Sequence, residues 1–176
     1  MQNVTAQTES VYPINYYIAL GTNVGNYKNN FSRAVLELKK IGNIVKQANI
    51  YKSKPYGYLK QNYFYNSMVQ VRSLILPMQF MVALQLIEKK LQKNKKIKNG
   101  PRKIDLDIIF CDQQIINNKN LRIPHPGVSK RDFVLLPLKD IDPFFRHPVN
   151  KKTINHQITD LKKYYVIKKL SYCNFI

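Results

Sequence analysis

Two carboxylates two residues apart, Asp105 and Asp107, are the residues whose type and spacing most directly suggest chemistry. They fall in the run Gly100-Pro101-Arg102-Lys103-Ile104-Asp105-Leu106-Asp107-Ile108-Ile109. Read as a strand, this run points successive side chains to opposite faces, so both carboxylates share one face and Leu106 and Ile108 take the other. A carboxylate pair cannot face an apolar core unpartnered, because burying an uncompensated charge is prohibitive. The pair therefore meets water or holds a cation. Adjacent hard oxygen ligands suit Mg²⁺, which keeps several waters and bridges to substrate phosphates. Two such ions could clamp a phosphoryl group from both sides. Arg102, just ahead of the strand, offers a planar fork to phosphate oxygens. Alone, Asp-x-Asp also fits a solvated acidic face of an antiparallel sheet. The surroundings favour the cation: a chain with 10 Asp and Glu sets two of them together between Arg102 and a lysine-rich loop.

The elements that must carry this strand can be read from periodicity. A short β-prone run at 16–20 ends at Gly21, and Phe31, Ala34, Val35 and Leu38 then recur at helical spacing. Runs 44–52 and 64–73 read as two strands. Pro77 suits the first turn of a second helix, whose inward stripe is Phe80, Leu84, Ile87 and Leu91. After a loop at 92–100, the strand 103–110 alternates Ile104, Leu106, Ile108 and Phe110 with other residues. Strand, helix, strand, strand, helix, strand implies an α+β fold with a ferredoxin-like βαββαβ core. A mainly antiparallel sheet with helices packed on one face is expected, plus a C-terminal extension. The expected division is a flexible leader at 1–13, a catalytic domain at 14–158 and a tail at 159–176 open to strand, helix or arm.

Charge and composition narrow the partners. The chain carries 29 Lys and Arg for a net charge of +19, which attracts polyanions. The lysines are spread along the chain rather than gathered in a stripe, which fits nucleotides and phosphorylated substrates better than nucleic acid. Cys111 and Cys173 have neither metal-ligand spacing nor a disulfide framework. The longest apolar stretch, 73–87, is broken by Pro77, Gln79 and Gln85 and falls short of the roughly 18 to 20 residues of a membrane span. The N-terminus has no basic start followed by an apolar run. A cytoplasmic protein with no membrane partner is expected.

The acidic run resembles the signature of the 6-hydroxymethyl-7,8-dihydropterin pyrophosphokinase family, basic-x-Gly-Pro-Arg-x-x-Asp-Leu-Asp followed by two aliphatics, with Lys98 as the basic start. The resemblance extends over roughly 16–143. Gly21-Thr22-Asn23 is similar to the family's Gly-Ser-Asn turn, and Phe64-Tyr65-Asn66 to its aromatic-x-Asn. Pro124-His125-Pro126 and Arg131-Asp132-Phe133 are similar to its later His and Arg-x-Phe elements. Where the family carries Leu-Gly-Arg after its second helix, this chain has Leu91-Gln92-Lys93 and then Lys95.

The resemblance implies Mg²⁺-dependent transfer of diphosphate from ATP to 6-hydroxymethyl-7,8-dihydropterin in folate synthesis, releasing AMP. It implies two Mg²⁺ ions on Asp105 and Asp107. The pterin would be cradled by the loop of Ser53, Pro55, Tyr56 and Gly57, stacked between Phe64 and Phe133, and bonded at its edge by Asn66. The same residues can also be read physically, since a flat heterocycle with amide-like edges favours two aromatic faces and a side chain that donates and accepts, although singly each Phe also reads as core and Asn66 as a bond to a neighbouring loop. ATP contacts are implied for Ile108, His125 and Arg131, with Arg102, Lys93 and Lys95 also assisting catalysis. A monomer without a nucleic-acid partner is expected. The alternative of another class is a basic ferredoxin-like RNA-binding module, which should show aromatics on open central strands where this chain has Asp105 and Asp107.

Overall fold

The computed structural model describes residues 12–92 and 99–170. The chain runs β1 (Ile14–Thr22), α1 (Tyr27–Leu38), β2 (Asn43–Gln47), β3 (Ile50–Ser53), β4 (Phe64–Ser73) and α2 (Pro77–Lys90). Then come β5 (Asp105–Cys111), a small hairpin of β6 (Ile116–Asn117) and β7 (Arg122–Ile123), α3 (Asp132–Ile141), α4 (Ile154–Thr159) and β8 (Val166–Leu170). The main sheet has the order β5-β1-β4-β3-β8, with β2 also paired to β4, and its pairs are antiparallel. This is the expected ferredoxin-like core, and of the forms left open for the tail, the chain takes a strand over Val166–Leu170.

Local signals account for the two core helices. The Asn26 side chain accepts the Asn29 amide and so caps α1, whose buried residues are Phe31, Ala34, Val35 and Leu38. Pro77 opens α2, where its missing N–H costs nothing, and Phe80, Leu84 and Ile87 face the core. Leu91, just beyond, is buried too.

Two strands differ from the sequence expectation. The run read as one strand at 44–52 is split into β2 and β3, both paired to β4. At the break, Ala48 N–H still donates to Met68 O, but Asn49 turns its amide to the Asp140 carboxylate of α3. Propensity cannot reveal this break, because both pieces remain strand. In β5, Tyr17 pairs with Phe110 but Ile18 with Ile108, so Ile109 is an extra residue and Phe110 turns to the face opposite Leu106 and Ile108.

The sheet is covered on both sides. The two core helices lie on one face as expected, packing Tyr16, Ile18, Leu20, Val69, Val71, Leu106 and Ile108 against α1 and α2. Tyr16 and Phe80 stack there with centroids 4.0 Å apart. The later part of the chain supplies the second cover: α3 and α4 pack on Tyr17, Met68, Ile109 and Phe110. This cover is incomplete at one end, and the gap becomes the site.

Candidate active site

Register builds the floor of the gap. Residues opposite one another on antiparallel strands share a face. Asn66 lies opposite Gly21, and Gly21 opposite Asp105, while the next row on that face is Met68, Ala19 and Asp107. The two smallest side chains of β1 thus lie between an amide on β4 and two carboxylates on β5. They leave room for a cavity of about 230 Å³, lined by Ala19, Gly21, Ser53, Tyr56, Phe64 and Asn66, among others. Asn99, Arg102, Asp105, Asp107, His125, Arg131 and Phe133 also line it. The structure therefore gathers residues from six separate stretches of sequence.

The carboxylates share a face, as their spacing required. Asp105 is buried and Asp107 half-buried. From the far side of the sheet, Glu88 of α2 accepts the Leu106 N–H at 2.7 Å, which occupies a backbone donor between the two carboxylates. The turn after β1 sets Arg102: Asn23 N–H donates to Arg102 O at 3.1 Å, and Arg102 N–H donates to Asn23 Oδ1 at 2.8 Å. The Arg102 side chain then pairs through Nε with Asp105 Oδ2 at 3.0 Å, and its guanidinium lies 5.0 Å from the Phe64 ring centroid. One cation thus sits where a metal would meet Asp105 and also over the ring expected to stack on a heterocycle. Both demands fit the residues present, because a positive charge is already balanced there. Among the described residues, no group of three or more His, Cys, Asp or Glu could hold a metal by itself. Two carboxylates suit an ion that completes its shell with water and phosphate oxygens.

His125 hangs from the edge of β5, its N–H donating to Ile109 O at 3.0 Å. The Gly127 N–H donates to its Nδ1 at 3.1 Å, so the neutral ring carries its proton on Nε2. Burial pushes its pKa below the ordinary value, against the opposing pull of Asp107. Arg131 follows within the same turn. Its guanidinium stands 4.9 Å from the Tyr56 ring centroid, and its Nε is buried without a hydrogen-bond partner among the described residues. Such an orphan donor is what an anionic ligand would satisfy. Sequence reasoning missed Gly127, whose role is close approach: a Cβ there would fall 2.7 Å from Arg131 Cζ.

The opposite end holds aromatic and amide groups. Asn66 Nδ2 donates to Ser53 Oγ at 2.9 Å, and its Oδ1 lies beside Gly21. Phe64 comes from β4 and Phe133 from the first turn of α3. Gly57 adopts φ +83°, a conformation that favours glycine, and its loop packs on Asn99. Pro55 is buried and lines a separate cleft with Tyr165. Ile108 faces α2 and lines a second cavity, of about 410 Å³, with Lys119, Arg122, Asp107 and His125. Asp107 and His125 thus line both cavities. Lys93 and Lys95 lie outside the described residues.

The RNA-binding alternative is not supported. Such a module leaves its central strands open to bases, whereas α3 and α4 cover that face here and carboxylates line the open end. Among the described residues, no helix is long and apolar enough to cross a membrane.

Residues 17–143 match the family described as 7,8-dihydro-6-hydroxymethylpterin-pyrophosphokinase (HPPK). The chain is 33% identical over 138 residues to the 2-amino-4-hydroxy-6-hydroxymethyldihydropteridine pyrophosphokinase of Aquifex aeolicus, covering 78% of this chain and 86% of that one. The enzyme of the same name from Bacillus subtilis is 35% identical over 127 residues, covering 71% of this chain and 76% of its own. The folic acid synthesis protein fol1 of Pneumocystis carinii is 41% identical over 151 residues, and there the match spans 81% of this chain but 20% of the relative. Among solved structures, wild-type Plasmodium falciparum HPPK-DHPS with STZ-DHP superposes with a TM-score of 0.71 at 18% identity, over 87% of this chain and 44% of that one. That likeness carries the fold.

Proposed function

Since the chain belongs to the 7,8-dihydro-6-hydroxymethylpterin-pyrophosphokinase family and is a pyrophosphokinase of folate biosynthesis, we propose that its two cavities divide the substrates. The 230 Å³ cavity takes the hydroxymethyl-dihydropterin, and the 410 Å³ cavity takes ATP. The observation that carries this reading is that Asp107 and His125 line both, so the reacting groups meet at those residues.

Each residue then has a task that its position suits. Phe64 and Phe133 offer ring faces to the pterin, and Asn66 Oδ1 accepts from its edge. Ser53 holds the Asn66 amide in place, while Pro55, Tyr56 and Gly57 shape the cradling loop. Arg131 Nε and the proton on His125 Nε2 bond the polyphosphate. Arg102 leaves Asp105 and Phe64 as ligands enter and turns to the phosphates, a short swing on a backbone pinned by Asn23. Asp105 and Asp107 would hold the two Mg²⁺ ions, which when bound would supply neutralising charge and acidify the attacking hydroxyl. The pterin hydroxymethyl oxygen gives up its proton to solvent and forms a bond to the β-phosphorus, the bond from the β-phosphorus to the α-phosphate oxygen breaks, and AMP leaves with that electron pair. Positioning and charge stabilisation carry the rate.

The test is purified protein with ATP, Mg²⁺ and 6-hydroxymethyl-7,8-dihydropterin. AMP should appear in step with the pterin diphosphate. A preparation that binds both substrates yet forms no AMP would sink the arrangement.

A further inference from the structure

Asp132 stands between two site residues, Arg131 and Phe133, where the Arg-x-Phe pattern reads it as a spacer. It is 0% exposed, which is unusual for a carboxylate. Its oxygens are taken up by backbone amides. Oδ1 accepts the N–H of Phe133 at 2.8 Å, and Oδ2 accepts those of Tyr165 and Val166, each at 2.7 Å. Bonds to an ionised acceptor at this length are among the stronger ones a protein makes. A position in the first turn of α3 adds the helix dipole to its support.

The link does not stop at the C-terminal strand. Tyr165 O accepts the Lys54 N–H at 2.8 Å, so the pterin loop is tied to the same point. One carboxylate thus joins the start of α3, the approach to β8 and the loop after β3. The rings record the result. Tyr165 meets Phe133 edge-on at 5.9 Å and 85°, and Tyr56 at 5.4 Å and 64°, while Tyr56 and Phe133 lie 6.1 Å apart. Phe133 and Tyr56 line the pterin cavity, and Tyr165 lines the cleft behind them.

We propose that Asp132 and Tyr165 are positioning residues for pterin binding: the tie sets the β8 approach against α3, and the Tyr165 ring holds Phe133 and Tyr56 at the angle the heterocycle needs. This rests on the assignment of the 230 Å³ cavity to the pterin. Neither residue touches the substrate. Their effect passes through the two rings, so it falls mainly on pterin affinity; on the nucleotide side His125 and Asp107 are held by β5, while Arg131, packed on Tyr56, feels it to a lesser degree. A purely structural tie would weaken both ligands together with the fold.

The experiment compares the full chain with Tyr165→Ala, Tyr165→Phe and Asp132→Asn. Equilibrium binding of 6-hydroxymethyl-7,8-dihydropterin and of a non-hydrolysable ATP analogue with Mg²⁺ is measured separately, beside thermal melting. Tyr165→Ala keeps the backbone amide on Asp132 and removes only the ring, so it should fold and bind pterin roughly tenfold more weakly, with a clearly smaller loss for the analogue. Tyr165→Phe should bind both ligands like the parent. Asp132→Asn, if it folds, should weaken pterin binding at least as much as Tyr165→Ala. Unchanged pterin affinity in Tyr165→Ala, or equal losses for both ligands, overturns the proposal. A parent chain that binds the analogue and no pterin overturns the cavity assignment, and the proposal with it.

Discussion

The two faces of the sheet are made from the same strands and serve different ends. Toward α1 and α2, Tyr16, Ile18, Leu20, Val69, Val71, Leu106 and Ile108 of β1, β4 and β5 are large and apolar, and they close into a core that includes the Tyr16–Phe80 stack. On the other face, β1 contributes Ala19 and Gly21, β4 contributes Asn66 and Phe64, and β5 contributes Asp105 and Asp107. There α3 seals only the half that holds Tyr17, Met68 and Phe110. A strand with period two can therefore commit most of one side to stability and the other to binding, with Ile108 of β5 serving both the core and the second cavity, which Glu88 of α2 also lines. Glu88 marks the meeting of the two: a carboxylate on the sealed side whose hydrogen bond reaches the backbone between the two functional ones.

That division makes mutational effects separable. The largest energetic change should come from the sealed face. Phe80→Ala removes a fully buried stacked ring and should cost about 3–5 kcal/mol of stability, while turnover per folded molecule stays close to the parent's. Denaturant melts alongside active-site titration would show whether the faces are independent; a matching collapse of kcat would merge them. On the open face the order reverses. Asp107→Ala should lower kcat by about two orders of magnitude or more, as loss of charge stabilisation at the polyphosphate requires, with melting little changed. Near-normal turnover would remove Asp107 from the reacting centre.

Smaller effects sharpen the comparison within the open face. Asn66→Ala should weaken pterin binding by about 1–3 kcal/mol, the cost of leaving a buried polar edge unpaired, and leave ATP affinity nearly unaltered. Calorimetry that finds both ligands equally affected would assign Asn66 to the fold. The smallest effect belongs to the half sealed by α3 and α4. His147 packs edge-on against Phe110, and burial lowers its pKa, so the folded chain prefers the neutral ring. The unfolded chain then takes up the proton first as pH falls. Stability from this group is full above the ordinary histidine value and is lost below it. The melting temperature should therefore fall between about pH 7 and pH 5.5, and His147→Gln should flatten that slope. His125 is shifted in the same direction and should keep part of it. An unchanged slope in the variant would show that the burial of His147 carries no such cost.

Much of this was legible in the residues themselves. The shared face of Asp105 and Asp107 follows from period two, the inward stripes of α1 and α2 from period 3.6, and the start of α2 from Pro77. Each of these is a local property, fixed by neighbours a few residues apart. The bulge at Ile109 was not legible, because which residue becomes the extra one depends on how β5 registers against β1. The break between β2 and β3 likewise depends on Asp140, which reaches Asn49 from across the sheet.

The amino-acid sequence by itself determined the family, the reaction class, the core's element order and the residue types gathered in the candidate site. Tertiary structure decided which of those residues share a wall. Only register puts Gly21 between Asn66 and Asp105, and only the edge of β5 brings His125 beside Asp107. The tie from Asp132 to Tyr165 spans 33 residues and runs through backbone amides, which every residue type but proline carries. No side-chain pattern can announce such a bond, so it exists only once the chain has folded around it.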